Sequence, residues 1–344
     1  MSFYTFKKSL VAATVVGLGL SGCGTSIKLS EYKPTTLPKA KNMPSKEEMM
    51  SSALPKVIIM DIDDNGIKIA KQAKLGRSIA TDINTNLAEA RSVKIVKRVN
   101  KVSYDKMLTK EVKAAELSKE LGTDVGQADY ILTGKLSNAT YDHTFHEAYT
   151  TYVKTKHGTR AIHHPPSISY SACAVGNIKV FKLPSLDEAT SIEFNECSHS
   201  SEQARSPRDA KLRNDGLVRE AGNEAADTAK YPLKNFFAKK GYIYEMRKDG
   251  DDLIIKTTLG TKFGAKEGED VEIYAVEDLT NSLTGVTKKT EVKIATGKIS
   301  NQLNSDFSWV IVDEVEDGKN IEAGDYIKIK YKEGFFSKFK KFVK

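Results

Sequence analysis

Hydrophobic and polar positions change their period several times along this chain. Val57-Ile58-Ile59-Met60 is an uninterrupted apolar run suited to a buried strand, and a turn through Asp61 to Gly66 follows it. Ile67, Leu75, Ile79, Ile83 and Leu87 then recur at multiples of four, which predicts one long helix with Lys71, Lys74, Arg77 and Asp82 on its other sides. Val93 to Val96 predicts a second strand, Lys113 to Leu121 a second helix ended by Gly122, and Ala128 to Leu136 a third strand. Ile178 to Phe181 and Thr190 to Phe194 predict two strands joined through Leu183 to Asp187. Leu217, Ala221, Ala225, Ala229 and Leu233 are again spaced by four, with Pro232 expected to kink or end that helix near Tyr231. Strands alternating with helices predict an α/β layer over residues 53–240.

From Tyr242 the helical period disappears. Short strands are expected at Leu253–Lys256, Val271–Val276, Glu291–Ile299, Trp309–Val312 and Tyr326–Lys330, with Gly and an acid before two of them. This predicts a small closed β-barrel over residues 241–332. Gly24 to Ser52 has Pro34, Pro38 and Pro44 and few large apolar residues, so residues 23–52 read as a flexible leader. As a coil such a leader would span roughly 30 Å, letting the body stand off whatever holds its start.

The first 22 residues read as an export signal. Lys7 and Lys8 form a positive start, and Ser9 to Leu20 is an uncharged run too short for a spanning helix. Leu20-Ser21-Gly22-Cys23 resembles the bacterial lipoprotein signal at all four positions, which implies that Cys23 is lipidated, with palmitate-type acyl chains, and becomes residue one. Gly24, which is not Asp, implies by the same resemblance an outer-membrane lipoprotein on the periplasmic face.

Charge narrows the partners. The chain of 344 residues has 53 basic and 45 acidic side chains, and loss of residues 1–22 leaves a net charge of +6. With no basic block interleaved with aromatics in the body, no nucleic-acid partner is expected. Lipidation of Cys23 leaves Cys173 and Cys197 in an oxidising compartment. A turn centred near Ser185 places these two opposite each other, so a cross-strand disulfide is expected, with two free thiols as the alternative. The last residues, Phe335, Phe336, Phe339 and Phe342 with Lys338, Lys341 and Lys344, suit either an amphipathic tail for an anionic surface or partner groove, or a frayed terminus.

The opening strand, the long helix, Val93–Val96, the run Ala128-Asp129-Tyr130-Ile131-Leu132-Thr133-Gly134 and the hairpin through Val180-Phe181 and Asp187-Glu188 resemble the curli-secretion lipoprotein (CsgG-like) family. The run Gly264 to Tyr274, the Thr284-Gly285 turn and Ile321 to Tyr326 resemble the C-terminal domain of flagellar assembly protein T. Together these resemblances imply an α/β CsgG-like domain followed by a small all-β barrel. They also imply a homo-oligomer that works with envelope-machine proteins such as flagellar basal-body components.

The family's pore formers insert two β-hairpins into the membrane. Between Asn138 and Tyr170, Tyr141, Phe145, Tyr149 and Val153 fall on alternate positions, a face that would meet lipid or a core, but Arg160 and His163-His164-Pro165-Pro166 interrupt the return arm. Cys197 to Gly216 carries Glu202, Arg205, Arg208, Asp209, Lys211 and Arg213, too much charge for a lipid-facing strand. The expected function is therefore a structural or assembly lipoprotein, flagellar and ring-like, with a secretion pore or a lipoprotein activator of a peptidoglycan synthase as alternatives.

Catalytic chemistry is not suggested. All six His lie between 143 and 199 without a spacing that forces them together, so no metal is expected. No phosphate loop, nucleophile elbow or triad motif occurs, and neither an enzyme nor a cofactor is expected. Asp61, Asp63, Asp64 and Asn65 resemble part of a calcium loop, but Gln72 stands where its final Glu would be, and they read as a turn.

Overall fold

The computed structural model describes residues 25–51, 53–96, 128–156 and 158–333, with positions 109, 112 and 113. Strand accounts for 47% and helix for 21% of the described residues, so the protein is mostly β and the expected α/β CsgG-like class is overturned.

The reason lies in three long strands. A five-stranded sheet runs in the order β3-β2-β4-β7-β8, where β2 (Lys56–Ile59) and β3 (Lys94–Ile95) are short and β4 (Tyr130–His146), β7 (Ser167–Lys182) and β8 (Asp187–Gln203) dominate. Parallel pairing is confined to β2 with β3 and β4, while β4, β7 and β8 pair antiparallel along nearly their whole length. In β7 the even residues Ile168, Tyr170, Ala172, Ala174, Ile178 and Val180 are buried, and the odd positions between them, mostly polar, are half-buried. That period of two extends far beyond the apolar cores Ile178–Phe181 and Thr190–Phe194. Ser, Asn and His at the outward positions disguise strand as loop.

Helices cover the inner face. α2 (Lys68–Ala73) and α3 (Leu75–Ala90) are separate, because Lys74 takes a left-handed conformation with φ 55° and ends the first. The single long helix expected from the fourfold spacing is corrected accordingly. Gly76 lies just past the break: a Cβ there would lie 1.9 Å from the Ile62 carbonyl oxygen, so the second helix starts hard against the chain that follows β2. α4 (Asp215–Phe236) packs on α3, β7 and β8. Of the two outcomes expected at Pro232, a kink or an end, the end does not occur: the helix continues to Phe236, where buried Leu233 and Phe237 hold the final turn on the core. The second helix expected over Lys113–Leu121 lies outside the described residues, apart from Lys113.

The second unit is a closed barrel. β9 (Gly241–Asp249), β10 (Asp252–Thr257), β13 (Ser308–Val315), β12 (Thr287–Leu303), β11 (Asp270–Thr280) and β14 (Tyr326–Ile329) follow one another around it, and β14 closes on β9. Closure removes the exposed edges that an open sheet of this size would keep. Ile243, Ile255, Val271, Ile273, Ile299, Val310 and Ile327 fill its interior. At the join with the first unit, Gly264 has φ 88°, and a Cβ there would lie 2.5 Å from the Ala90 carbonyl oxygen at the end of α3.

The flexible leader is also corrected. Residues 25–50 lie along the barrel as a strap. Ile27, Leu29 and Tyr32 pack over Ile254, Trp309, Phe307 and Ile311. β1 (Lys33–Pro34) then pairs with Lys248 and Arg247 of β9. Ala323 N–H donates to the Pro38 carbonyl at 2.7 Å and Ala40 N–H to the Ala323 carbonyl at 3.0 Å. α1 (Lys46–Met50), capped by Ser45, places Glu48 to accept a short hydrogen bond from the Tyr242 hydroxyl. Its apolar residues are too irregularly spaced to announce an element by themselves. They are ordered only because the outside of the barrel offers them a second small core.

Candidate functional site

The long sheet outruns its helices and ends in an arm. After β4, the chain forms β5 (Tyr149–Thr155) and β6 (Gly158–His164), an antiparallel pair separate from the main sheet. The described residues of β5 and β6 are exposed, His164 excepted. Alternation puts Tyr149, Val153, Arg160, Ile162 and His164 on one face and Tyr152, Lys154 and His163 on the other. Tyr149 stacks on His164 at 4.4 Å, and the hydroxyls of Thr150 and Thr151 pair with the rings of His163 and His164. Tyr149, Tyr152, Val153 and Ile162 stand 54%, 73%, 45% and 39% exposed, an apolar grouping that no other element among the described residues covers.

A polar clamp fixes the base of this arm. Tyr141 and Tyr170 stack with centroids 6.0 Å apart. Tyr170 donates to Glu202 at 2.6 Å, the Lys211 N–H donates to the Tyr170 hydroxyl at 3.1 Å, and Tyr141 donates to the Lys211 carbonyl at 3.0 Å. Lys211 also makes a short ion pair with Glu202. The Lys211 ammonium, followed by the Tyr170 hydroxyl, holds the Glu202 carboxyl below the usual range. The segment expected to be too charged for a membrane hairpin folds back as this clamp and a short 3₁₀ turn at Pro207–Asp209.

Cys173 and Cys197 are direct cross-strand partners on the outward face of β7 and β8 and form a disulfide. Beside them Asp142, Ser171 and His199 align across β4, β7 and β8, lining with Thr144, Ser169 and Ser201 a shallow cleft of about 380 Å³. No group of three His, Cys, Asp or Glu able to hold a metal occurs among the described residues. His143, His146, His163, His164 and His199 are spread along the sheet and arm rather than brought to one point.

A larger cleft, about 460 Å³, opens where strap, sheet unit and barrel meet. Tyr130, Phe236 and Phe237 form its edge-to-face aromatic wall, and Glu48, Lys239, Lys240 and Tyr242 supply its polar side. These polar groups are already engaged. Lys239 donates to the Ser51 and Ala53 carbonyls at 3.0 Å each, and its burial pulls the ammonium down. Lys240 pairs with Glu291 at 2.8 Å, and burial followed by Glu48 pushes the Tyr242 hydroxyl up. The cleft is a structural joint, with no nucleophile and base brought together in it.

Among the predicted site residues, the structure brings Cys173 and Cys197 together. Cys23 and the tail residues Phe335, Phe336, Lys338, Phe339, Lys341, Phe342 and Lys344 lie outside the described residues. Tyr152 and Ile162 of the arm were missed, although alternation of Tyr, Thr and Val around Gly158 was a readable signal for them.

No protein-family model matches this chain, and neither does any curated protein. Among solved structures, it is similar to the protein CT253 of Chlamydia trachomatis, at 12% identity and TM-score 0.24, over 54% of this chain and 98% of that one. It is also similar to a protein from Helicobacter pylori described as a neuraminyllactose-binding hemagglutinin homologue, at 12% identity and TM-score 0.27, over 59% of this chain and 90% of that one. Both TM-scores are too low for the likeness to carry an argument. Within the described residues, no helix is long and apolar enough to cross a membrane.

Proposed function

We propose that this chain is a lipoprotein anchored to the outer membrane through Cys23, facing the periplasm, and that it serves as a structural or assembly component of an envelope machine. The observation that carries this reading is the β5–β6 arm. A lone two-stranded ribbon is marginally stable in water, and this one presents Tyr149, Tyr152, Val153 and Ile162 uncovered on both faces. Such a surface is suited to partner contact. The charged segment that follows β8 folds back on Tyr170 and Glu202 instead of forming a second hairpin, which favours a scaffold over a pore. The likeness of Gly264–Tyr274 and Ile321–Tyr326 to flagellar assembly protein T favours a flagellar setting, with further copies of this chain and basal-body components as partners.

The test uses cells producing the full chain. Cys23→Ala should move the protein from the outer-membrane to the soluble periplasmic fraction. Purified flagellar basal bodies should contain the unaltered protein and lack a variant carrying Tyr152→Ala and Ile162→Ala. Basal bodies free of the unaltered protein would overturn the flagellar assignment, and stable conductance by the purified protein in planar bilayers would overturn the scaffold reading.

A further inference from the structure

The strap begins at one fixed place on the barrel. The Thr25 hydroxyl donates to Glu267 at 2.7 Å, and Asn301 N–H donates to the Thr25 carbonyl at 2.9 Å. Ile27 N–H donates to the Asn301 side-chain oxygen at 3.0 Å, and the Gln302 amide donates to the Ile27 carbonyl at 3.3 Å. Ile27 is only 7% exposed, seated against Ile254 and Trp309. Residue 25 therefore cannot leave the barrel wall without breaking this set and uncovering an apolar side chain.

We propose that the barrel surface around Thr25, bounded by Lys28, Asn301 and the exposed loop 266–268, is a seating surface that rests on phospholipid headgroups. This rests on the reading of Cys23 as the acylated residue. Only Gly24 separates Cys23 from Thr25, so the two residue steps between them reach about 7 Å at most. The headgroup layer of one leaflet is of the same thickness, about 5–7 Å. Acyl chains buried below that layer consequently draw Thr25 into it, and the wall beside Thr25 comes with it. Lys266 and Lys28, the latter paired with Glu31 at 3.4 Å, supply ammonium groups for lipid phosphates there, and Glu267 is held by the Thr25 hydroxyl. A coil of the whole leader would have left the barrel's orientation free, whereas the ordered strap determines which side faces the membrane.

The geometry supplies an internal control. β11 starts just beyond this loop at Asp270 and runs 11 residues to Thr280, so Leu283, which is 93% exposed in the turn that follows, lies roughly 35 Å from the loop. A fluorophore on Lys266→Cys or on Leu283→Cys can be compared in the acylated protein bound to phosphatidylethanolamine–phosphatidylglycerol vesicles bearing a headgroup nitroxide. Quenching at 266 should exceed that at 283 at least threefold. Releasing the strap with Ile27→Asp and Asn301→Ala should abolish the difference while the protein still floats with the vesicles. Acylated, vesicle-bound protein with equal quenching at both sites would overturn the seating surface and leave the lipoprotein reading standing, as would a difference that survives strap release. Protein whose mass shows no acyl group on Cys23, and which does not float, would overturn the lipoprotein reading and the seating surface with it.

Discussion

The barrel and the long sheet solve the same problem in opposite ways. In the barrel every strand has two neighbours, and the apolar patch left outside near Trp309 is covered by Ile27, Leu29 and Tyr32 of the strap. In the sheet unit, β8 keeps a free edge, the outward face is polar, and β5–β6 leaves apolar side chains in water. Burial in one region and exposure in the other are not equivalent to a folding chain. The first stabilises, while the second costs solubility and persists where something else is to be bound. Stability is therefore expected to be concentrated in the barrel and the helix-covered half of the sheet, with interaction concentrated in the arm.

The strongest way to break this contrast is to empty the barrel. Ile273 is fully buried in its interior, and Ile273→Ala should cost about 2–5 kcal/mol in urea unfolding, through lost burial and the cavity left behind. A cost below about 1 kcal/mol would mean that the barrel core is loosely packed. The Cys173→Ser, Cys197→Ser pair removes the cross-link in the sheet unit and should cost about 2–4 kcal/mol by the same measurement. Intact mass after alkylation without reductant should show no reactive thiol at either position in the unaltered protein.

A smaller effect concerns pH. Asp325, 2% exposed beside the strap, has its carboxyl pushed up to about 6, chiefly by burial and against the Glu322 N–H that donates to it at 2.7 Å. Because the folded value lies above the ordinary 3.8, the stability linked to its protonated form is complete below about pH 4 and lost as pH rises through 6. Asp325→Asn keeps an acceptor for Glu322 and should melt higher than the unaltered protein at pH 7.5 and equally at pH 3.5. A lower melting temperature at both would show that the carboxylate is needed. Glu291 has the opposite sign. Burial acts to raise it, but Lys240 and Lys328 hold it down to about 2, so its contribution is present above its ordinary 4.5 and lost as pH falls through 2.

The smallest expected effect sharpens the contrast most. Tyr152→Ala with Ile162→Ala should change unfolding stability by no more than about 0.5 kcal/mol, since both side chains are exposed. The same pair should remove the protein from the assembly proposed for it. A large loss of stability would place these residues in the folding core instead.

Alternation with a period of two, turn chemistry and cysteine spacing are local properties, so the sequence by itself located five of the six barrel strands, all but β9, and the turn between β7 and β8, which made a Cys173–Cys197 pair the expectation over two free thiols. Fourfold spacing likewise located the inward faces of α3 and α4. It did not reveal the left-handed break at Lys74, beside which Gly76 meets Ile62 too closely for a side chain, two points joined only by packing. Nor did it reveal that β4, β7 and β8 are long enough to make the protein mostly β, because their outward Ser, Asn and His are compatible with loop until a neighbouring strand takes up their backbone hydrogen bonds. The strap is the clearest case. Its prolines and scattered apolar residues have no period, and only the exposed patch around Trp309 and the strand edge of β9 turn them from a tether into part of the barrel wall.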